Sequence, residues 1–180
     1  MGEISDVRDG THDSPTFYRE GFPLITSKNL KNGAIDFSEC SYINLETYNN
    51  INKRSKVDIG DILFGMIGTI GNPVIVKNDG FAIKNVALIK SANIVNNSFI
   101  YYLLSSPAFF RYISKENAGG TQKFIALNQI RNFSFKAPIL DEQIQISQIL
   151  GSFDTYITLH QRKFEHLQLQ KKALLQQMFV

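Results

Sequence analysis

The sequence contains a single cysteine, Cys40, which excludes a disulfide framework within the chain. One thiol also argues against a cysteine-rich zinc site, which needs several thiolates around one metal ion. No apolar run approaches the roughly 20 residues that a membrane-spanning helix needs. Met1 is followed by Gly2 and Glu3 and not by a basic and then an apolar segment, so no signal peptide is predicted. These absences together predict a cytoplasmic protein.

Motifs for catalysis are missing as well. His160 and His166 lie six residues apart, which is not the i,i+4 spacing that places two metal ligands on one helical face. The chain has no acid-x-Lys triplet of the common carboxylate–lysine nucleases and no Asn/Asp-Pro-Pro-aromatic segment of an amino-group methyltransferase. The segment GTIG, 68–71, lacks the Lys-Ser/Thr ending of a phosphate-binding loop and predicts a tight turn between strands. The sequence therefore predicts a chain that binds a partner, holds no metal and performs no chemistry itself.

Charge is unevenly distributed along the 180 residues. Residues 1–20 carry two basic and five acidic side chains, whereas residues 21–137 carry thirteen basic and seven acidic ones. Residues 138–180 are balanced, so the whole basic excess lies in the middle of the chain. A basic globular part favours a polyanionic partner, although many proteins without such a partner have a similar charge.

The last fifth of the chain has the pattern of a coiled coil. Alternate steps of four and three residues from residue 146 give ten seam positions, of which eight are apolar. The seam consists of Ile146, Leu150, Phe153, Ile157, His160, Phe164, Leu167, Lys171, Leu174 and Met178. We predict a helix over 142–179, with Asp141 as N-cap and Gly151 as a kink or a change of partner.

Such a helix is roughly 57 Å long at about 1.5 Å per residue. A body of about 140 residues has a radius of gyration near 14 Å and covers only part of that length. The seam is therefore expected to pack on a helix of another chain or of another copy of this one. The alternative is an amphipathic helix that lies along its own domain.

The preceding residues predict an α+β domain with a mixed or antiparallel sheet and short helices. Short β-branched runs between turn residues predict strands. The predicted strands are 23–30, 61–67, 73–77, 86–90 and a closing strand, FSFKAP, over 133–138. Asn32-Gly33 predicts a tight hairpin turn. Helices are predicted over 43–54 with Asn44 as N-cap, over 96–114 with a break at Pro107, and over 127–132.

Polar loops on this frame form the candidate binding surface. Their Thr, Ser, His, Asn, Gln, Lys and Arg side chains are of the types that contact base edges and phosphates. The candidates are Thr11, His12, Ser27, Lys28, Asn29, Lys31, Lys53, Arg54, Lys56, Thr121, Gln122 and Lys123. For each of them, an ordinary solvated surface position is the alternative interpretation.

Five segments, taken in order, resemble the specificity subunit of type I restriction–modification enzymes. They are DVRDGTHDSP (6–15), GFPLITSKNLKNGAIDF (21–37), KVDIGDILFGMIGTIG (56–71), GGTQKFIALNQIRNFSFKAPILDEQIQISQIL (119–150) and QRKFEHLQLQKKALLQQMF (161–179). The most specific feature is the junction P-x-L-x-E-Q-x-x-I over 138–146, followed by the heptads. The resemblance covers nearly the whole chain.

The resemblance implies a target-recognition domain over 1–137 that recognises one half of a split site in double-stranded DNA. It implies that 138–180 forms a spacer helix on which methyltransferase subunits dock, in a complex that also contains restriction subunits. The specificity subunit of this family is not catalytic, so no cofactor is expected in this chain. S-adenosylmethionine, ATP and magnesium would belong to the partner subunits.

Full-length members of the family carry two recognition domains and two long helices, whereas this sequence has one of each. It is therefore either a half-sized subunit or a fragment of a longer one. In either case the resemblance implies pairing with a second copy through an antiparallel coiled coil, and hence an interrupted palindromic site.

Two other hypotheses stay open at the level of sequence. One is a protein-interaction module whose helix docks on partners and whose body does not touch DNA. The other is a hydrolase or transferase whose site the motifs above do not represent. Duplex binding that weakens steeply with salt would favour a DNA specificity subunit over the protein-interaction module.

Overall fold

The chain folds into a layered α+β body that ends in one long helix, and the predicted fold class is confirmed. The structure is a computed structural model and describes residues 1–116 and 124–179. The strands are β1 (Val7–Asp9), β2 (Phe22–Ile25), β3 (Leu30–Lys31), β4 (Ala34–Ile35), β5 (Ser41–Ile43), β6 (Ile62–Gly65), β7 (Gly71–Ile75), β8 (Ala82–Ile83) and β9 (Val86–Ile89). The helices are α1 (Leu45–Ser55), α2 (Asn97–Leu104), α3 (Pro107–Glu116), α4 (Leu127–Asn132) and α5 (Leu140–Met178).

The centre of the body is an antiparallel sheet with strand order β1-β9-β6-β7. Along β6, Ile62 and Phe64 face the core beside the helices, whereas Leu63 faces a second core on the other side of the sheet. Successive side chains of a strand point to opposite faces, so a strand that is covered on both faces needs apolar residues without alternation. This explains the unbroken apolar runs of β6 and β9. The predicted turn at 68–71 joins β6 to β7.

A second, mixed sheet has the order β5-β2-β8, in which β2 is antiparallel to β5 and parallel to β8. The two residues between β8 and β9, Lys84 and Asn85, therefore carry the chain from one sheet to the other. Because β1 pairs with β9 and β2 pairs with β8, this short turn lies where the two sheets meet.

Two local predictions are confirmed by backbone geometry. Asn32 and Gly33 have φ angles of 51° and 72°, which is the conformation of the type I′ turn that joins β3 to β4. At the start of α1, the backbone N–H of Thr47 donates to Oδ1 of Asn44 at 2.9 Å, so Asn44 is the N-cap.

Aromatic side chains fill the core between the central sheet and the helices. Phe109 of α3 is fully buried and meets Phe64 and Phe133 edge to face, with ring centroids 5.4 and 4.9 Å apart. Such edge-to-face pairs stabilise the core beyond the area that they bury. Phe109 therefore connects the sheet, α3 and the segment that leads into α5.

The predicted closing strand over 133–138 is wrong. Residues 133–139 form an extended connection to α5 that pairs with no strand of the described residues. The apolar alternation has another cause: Phe133 is buried, and its ring stacks on Phe135 with centroids 5.6 Å apart. The carbonyl of Phe133 accepts a hydrogen bond from the amino terminus of Met1 at 2.6 Å, so this segment is anchored to the start of the chain.

The predicted strand over 23–30 is too long, because β2 ends at Ile25. The side-chain oxygen of Asn29 accepts hydrogen bonds from the backbone N–H and the hydroxyl of Thr26, at 3.0 and 2.9 Å. These bonds close a 3₁₀ turn over Ser27–Asn29. A side chain that satisfies nearby backbone groups competes with strand pairing in this way.

The long C-terminal helix is confirmed, with two differences in detail. Its N-cap is Ile139, and Asp141 lies in the first turn, where its charge is favourable near the positive end of the helix dipole. The helix continues through Gly151 without a break. No helix of the described ranges is both long and apolar enough to cross a membrane.

Candidate functional site

Loop 10–14 is joined by backbone hydrogen bonds to the turn between β8 and β9. The N–H of Thr11 donates to Ile83, and the N–H of Asn85 donates to Thr11, at 3.0 and 3.1 Å. Gly10 is required by this close approach, because a Cβ atom there would lie 2.2 Å from the carbonyl oxygen of Ile83. The loop is therefore held rigidly at the junction of the two sheets.

His12 lies between two oxygen atoms at this junction. Its Nε2 is 2.7 Å from Oδ2 of Asp9, and its Nδ1 is 2.7 Å from Oδ1 of Asn85. The hydrogen bond to Asp9 raises the pKa of His12 above its ordinary value, and the contact with Asn85 adds to the effect. Partial burial and the charge of Arg54 oppose this shift.

Arg54, at the end of α1, joins the same group. Its Nη2 donates to the carbonyl of Gly10 at 2.8 Å and lies 3.1 Å from Oδ1 of Asp9. Loop 10–14 and α1 enclose an open pocket of about 610 Å³. The pocket is lined by Thr11, His12, Asp13, Pro15, Thr47, Asn50, Ile51, Arg54 and Ser55. Three of the predicted site residues, Thr11, His12 and Arg54, thus share one surface.

The 27–29 turn borders the same junction from the other side. Ser27 and Asn29 are buried, and the Ser27 hydroxyl donates to the carbonyl of Asn85 at 3.1 Å. The amide nitrogen of Asn29 donates to the carbonyl of Asp36 at 3.1 Å, so the side chain of Asn29 is occupied within the fold. Lys28, between them, is exposed and lines a cavity of about 430 Å³ together with Asn85.

The other predicted basic residues are placed elsewhere or have partners within the fold. Lys31 in β3 pairs with Asp36 at 2.7 Å, and Lys56 pairs with Asp58 at 3.0 Å. Lys53 donates to Asn50 on α1 at 2.9 Å. The predicted contacts at Thr121, Gln122 and Lys123 lie outside the described residues.

Lys84 and Asn85 lie at the centre of this surface and are not among the site residues predicted from the sequence. Asn85 has a φ of 55°, and Lys84 donates to the hydroxyl of Ser14 at 2.8 Å. A signal was available, because a Lys-Asn pair between two short apolar runs is typical of a tight turn. The loops and this turn present ammonium, guanidinium, amide and hydroxyl groups, which are donors suited to phosphates and base edges.

An internal ion cluster joins the residue before β6 to the residue after β9. Asp61 is almost fully buried and lies 2.5 Å from Nζ of Lys90, and it also accepts hydrogen bonds from the N–H groups of Asp58 and Ser91. Within residues 1–116 and 124–179, no group of His, Cys, Asp and Glu side chains has the arrangement of a metal site.

The first four turns of α5 dock on α2 through polar contacts. Gln143 accepts a hydrogen bond from the N–H of Asn96 at 3.0 Å, and the Ser147 hydroxyl donates to the side chain of Asn96 at 3.1 Å. Further along, the Tyr102 hydroxyl donates to Asp154 at 2.7 Å. Gly151 lies between Ser147 and Asp154 on the helix. A Cβ atom at position 151 would lie 3.5 Å from the Tyr102 hydroxyl. The change of environment along the helix follows directly after it.

Beyond these contacts the helix leaves the body. Every described residue from 152 to 179 is exposed. Ile146 and Leu150 are half-buried, whereas the apolar seam residues after them are between 51% and 71% exposed. Those exposed seam residues are Phe153, Ile157, Phe164, Leu167, Leu174 and Met178, and His160 and Lys171 are exposed among them. An exposed and predominantly apolar stripe of this kind marks an interaction surface.

Comparison with known proteins places this architecture in a family. Residues 2–169 match the model of the type I restriction modification DNA specificity domain. The putative type I restriction enzyme MjaX specificity subunit of Methanocaldococcus jannaschii is 26% identical over an alignment of 183 positions, which covers 96% of this chain and 42% of that protein. The type I restriction enzyme EcoBI specificity subunit of Escherichia coli is 27% identical over 131 residues, which cover 71% of this chain and 27% of that protein.

Solved structures share the fold. The HsdS subunit from Thermoanaerobacter tengcongensis superposes with a TM-score of 0.64 at 16% identity, over 90% of this chain and 38% of that one. The type I restriction–modification S subunit from M. genitalium gives a TM-score of 0.61 at 15% identity, over 99% of this chain and 44% of that one. The chain spans less than half the length of the relatives that it matches. With the family model covering 168 of its 180 residues, the chain belongs to the type I restriction–modification DNA specificity domain family.

Proposed function

We propose that this chain recognises double-stranded DNA as the specificity component of a type I restriction–modification complex, with each copy contacting one half of a split site. The observation that carries the proposal is the convergence of loop 10–14, the 27–29 turn and the 84–85 turn at the junction of the two sheets. Rigid loops that present cationic and amide groups together are the arrangement expected of a surface that recognises DNA.

The structure supports different roles for the candidate residues on this surface. Lys28 and Lys84 offer ammonium groups to the phosphate backbone, whereas His12 and Asn85 offer ring and amide groups to base edges. Ser27 and Asn29 are buried, and their side chains are engaged in hydrogen bonds within the fold, so we assign them to holding the turn in shape. The predicted base contact of Asn29 is replaced in this proposal by Asn85.

The exposed seam of α5 is proposed to pair with the same seam of a second copy, antiparallel, as a two-stranded coiled coil. The 39 residues of α5 span about 58 Å at about 1.5 Å per residue. Two recognition surfaces separated by roughly 45–60 Å would contact half-sites about 13–17 base pairs apart, at about 3.4 Å per base pair. Symmetric pairing implies an interrupted palindrome.

Methyltransferase and restriction subunits are the further proposed partners. The helix carries exposed apolar residues outside the seam, and two of them, Leu159 and Leu169, lie away from the flanks of a two-helix contact. The exposed apolar residues outside the seam include Ile149, Tyr156, Leu159, Leu169 and Leu175. The catalytic centres and their cofactors, S-adenosylmethionine and ATP with magnesium, are assigned to those partner subunits, and this chain is proposed to have no catalytic role of its own.

Mapping of methylated bases in cells that contain this chain and its methyltransferase tests the proposal directly. We expect one interrupted palindromic motif, whose two halves are reverse complements of each other. A methylation pattern without any motif that depends on this chain would contradict the proposal. Duplex binding by the purified chain that is undetectable at low salt would favour the protein-interaction module instead, for which the exposed seam is the supporting observation.

Lys28→Ala is expected to weaken binding to the mapped site and to a scrambled duplex by similar factors, about three- to tenfold, because an ammonium group on a phosphate carries no sequence information. The slope of log K against log salt should fall by about one unit. Fluorescence anisotropy at several salt concentrations measures both quantities. Lys77→Ala is the matched control, because Lys77 is exposed beside the cavity near β4 and away from the three loops. Equal losses for the two variants would contradict the assignment of Lys28.

A further inference from the structure

The contact between His12 and Asn85 has a chemical consequence for whatever binds at this surface. Both ring nitrogens of His12 lie 2.7 Å from oxygen atoms, one of the Asp9 carboxylate and one of the Asn85 amide. A carboxylate and an amide oxygen accept hydrogen bonds and cannot donate them. A ring that satisfies both contacts must donate from both nitrogens, which only the imidazolium form can do.

The backbone of Asn85 is fixed, so its side chain is the part that can respond. Its N–H donates to Thr11, its carbonyl accepts from the hydroxyl of Ser27, and the N–H of Lys84 donates to Ile25. With Oδ1 turned to His12, Nδ2 is the amide group left for a ligand. In the described part of the chain, no side chain or carbonyl accepts a hydrogen bond from that nitrogen. Asn85 also lines the cavity beside Lys28 and Gly68, so a ligand there can reach it.

We propose that Asn85 is a specificity-determining residue, and that the number of protons on His12 selects which end of its amide faces the bound duplex. This inference rests on the proposed DNA-binding function. When His12 is an imidazolium, Asn85 presents a donor, which suits N7 or O6 of guanine and N7 of adenine. When His12 is neutral, Asn85 presents an acceptor, which suits the amino groups of cytosine and adenine.

Loss of one proton has a defined effect on the geometry. Because Asp9 only accepts, the neutral ring keeps its proton on Nε2 and loses the one on Nδ1. The bare Nδ1 then faces Oδ1 of Asn85, and two lone pairs at 2.7 Å repel. Rotation of the amide by half a turn restores a hydrogen bond, with Nδ2 donating to Nδ1, and turns Oδ1 outward.

Charged groups on several elements surround His12 and act on its pKa. Asp9 of β1 favours the imidazolium, whereas Arg54 at the end of α1 opposes it and is itself bound to Asp9. Asp13 lies on loop 10–14 together with His12. The ammonium group of Lys84 donates a hydrogen bond to the hydroxyl of Ser14, the next residue. The net effect raises the pKa of His12. Its contacts stabilise the fold fully below the ordinary pKa, and this stabilisation is lost as pH rises through the raised pKa.

The first test needs no DNA. Ring nitrogen shifts of His12 and side-chain amide signals of Asn85 are followed by NMR in the full chain, from about pH 5.5 to 8.5 around the ordinary histidine pKa. We expect both signals to change with one midpoint that lies above the ordinary histidine pKa. Asp9→Asn should lower the midpoint of His12. Amide signals of Asn85 that are indifferent to the titration of His12 would overturn the inference.

The second test selects sequences from a random duplex library at about pH 6 and about pH 8.5, on either side of the titration. One base position should change its preference by about tenfold or more between the two pH values. His12→Gln should abolish this change, and Asn85→Gly, which tolerates the positive φ, should lose the preference at both pH values. His166→Gln is the matched control and should behave as the parent chain.

The outcomes separate this inference from the proposed function. Enrichment of the same motif at both pH values, or a pH-dependent change that persists in His12→Gln, would overturn the role of His12 and leave DNA recognition intact. Failure to enrich any sequence at either pH would overturn DNA recognition itself, and with it the specificity role of Asn85.

Discussion

Replacing Ile157 and Phe164 together with aspartate is expected to disrupt the proposed pair of chains and leave monomers. Both side chains lie in the seam of α5 and are 55% and 61% exposed, so nothing in the described body shields them. Burial of two carboxylates against an apolar seam costs several kcal/mol, and full burial of an Ile or Phe side chain contributes about 1.5–3 kcal/mol. Sedimentation at micromolar concentration measures the change. Loss of the second recognition surface should also weaken binding to the full split site by about 10²- to 10⁴-fold.

The control for this double substitution adds the same charge to the other side of the helix. Thr155→Asp with Gln176→Asp places two carboxylates at exposed positions opposite the seam, and the chain should still pair. The body should keep its thermal transition in both double variants, because every described residue from 155 to 179 is exposed. A parent chain that sediments as a monomer at micromolar concentration would refute pairing with a second copy.

Phe109→Ala is expected to destabilise the body by about 3–5 kcal/mol, the usual cost of deleting a buried aromatic ring. Phe109 is fully buried and contacts rings from β6 and from the segment after α4, so the cavity would lie where three parts of the core meet. Urea unfolding measures the free energy, and the melting temperature should fall by about 6–20 °C for a chain of this size.

The neighbouring ring supplies the comparison. Phe110 lies next in α3 and is 39% exposed, so Phe110→Ala should cost less than half as much. Equal losses for the two variants would mean that burial in this core does not determine the energetic weight of its aromatic residues.

Elements with a local cause were predictable from the residues that form them. The cap at Asn44, the turn at Asn32-Gly33 and the long helix α5 each depend on side chains within a few positions of one another, and all three predicted features are present. The stretch 133–138 was not predictable in this way. Its alternating phenylalanines satisfy the pattern of a strand equally well when they pack against helices, and only the neighbours of Phe133 distinguish the two cases.

The candidate surface shows the same contrast between features with a local cause and features that depend on tertiary contacts. Loop composition pointed to Thr11, His12, Lys28 and Arg54 as exposed polar groups, but Asn29 has the same composition signal and is buried. Asn85 became visible only once the fold placed it beside His12, 73 residues earlier in the chain.

By itself, the sequence determined the α+β class, the family and a long helix with an apolar stripe, because these follow from periodicity, spacing and short motifs. The tertiary structure decided which end of that helix is held by α2 and which end is bare, and which polar side chains meet at the junction of the two sheets. The physical reason is that strand pairing brings together groups far apart in the chain, and hydrogen bonds between such groups leave no trace in local composition.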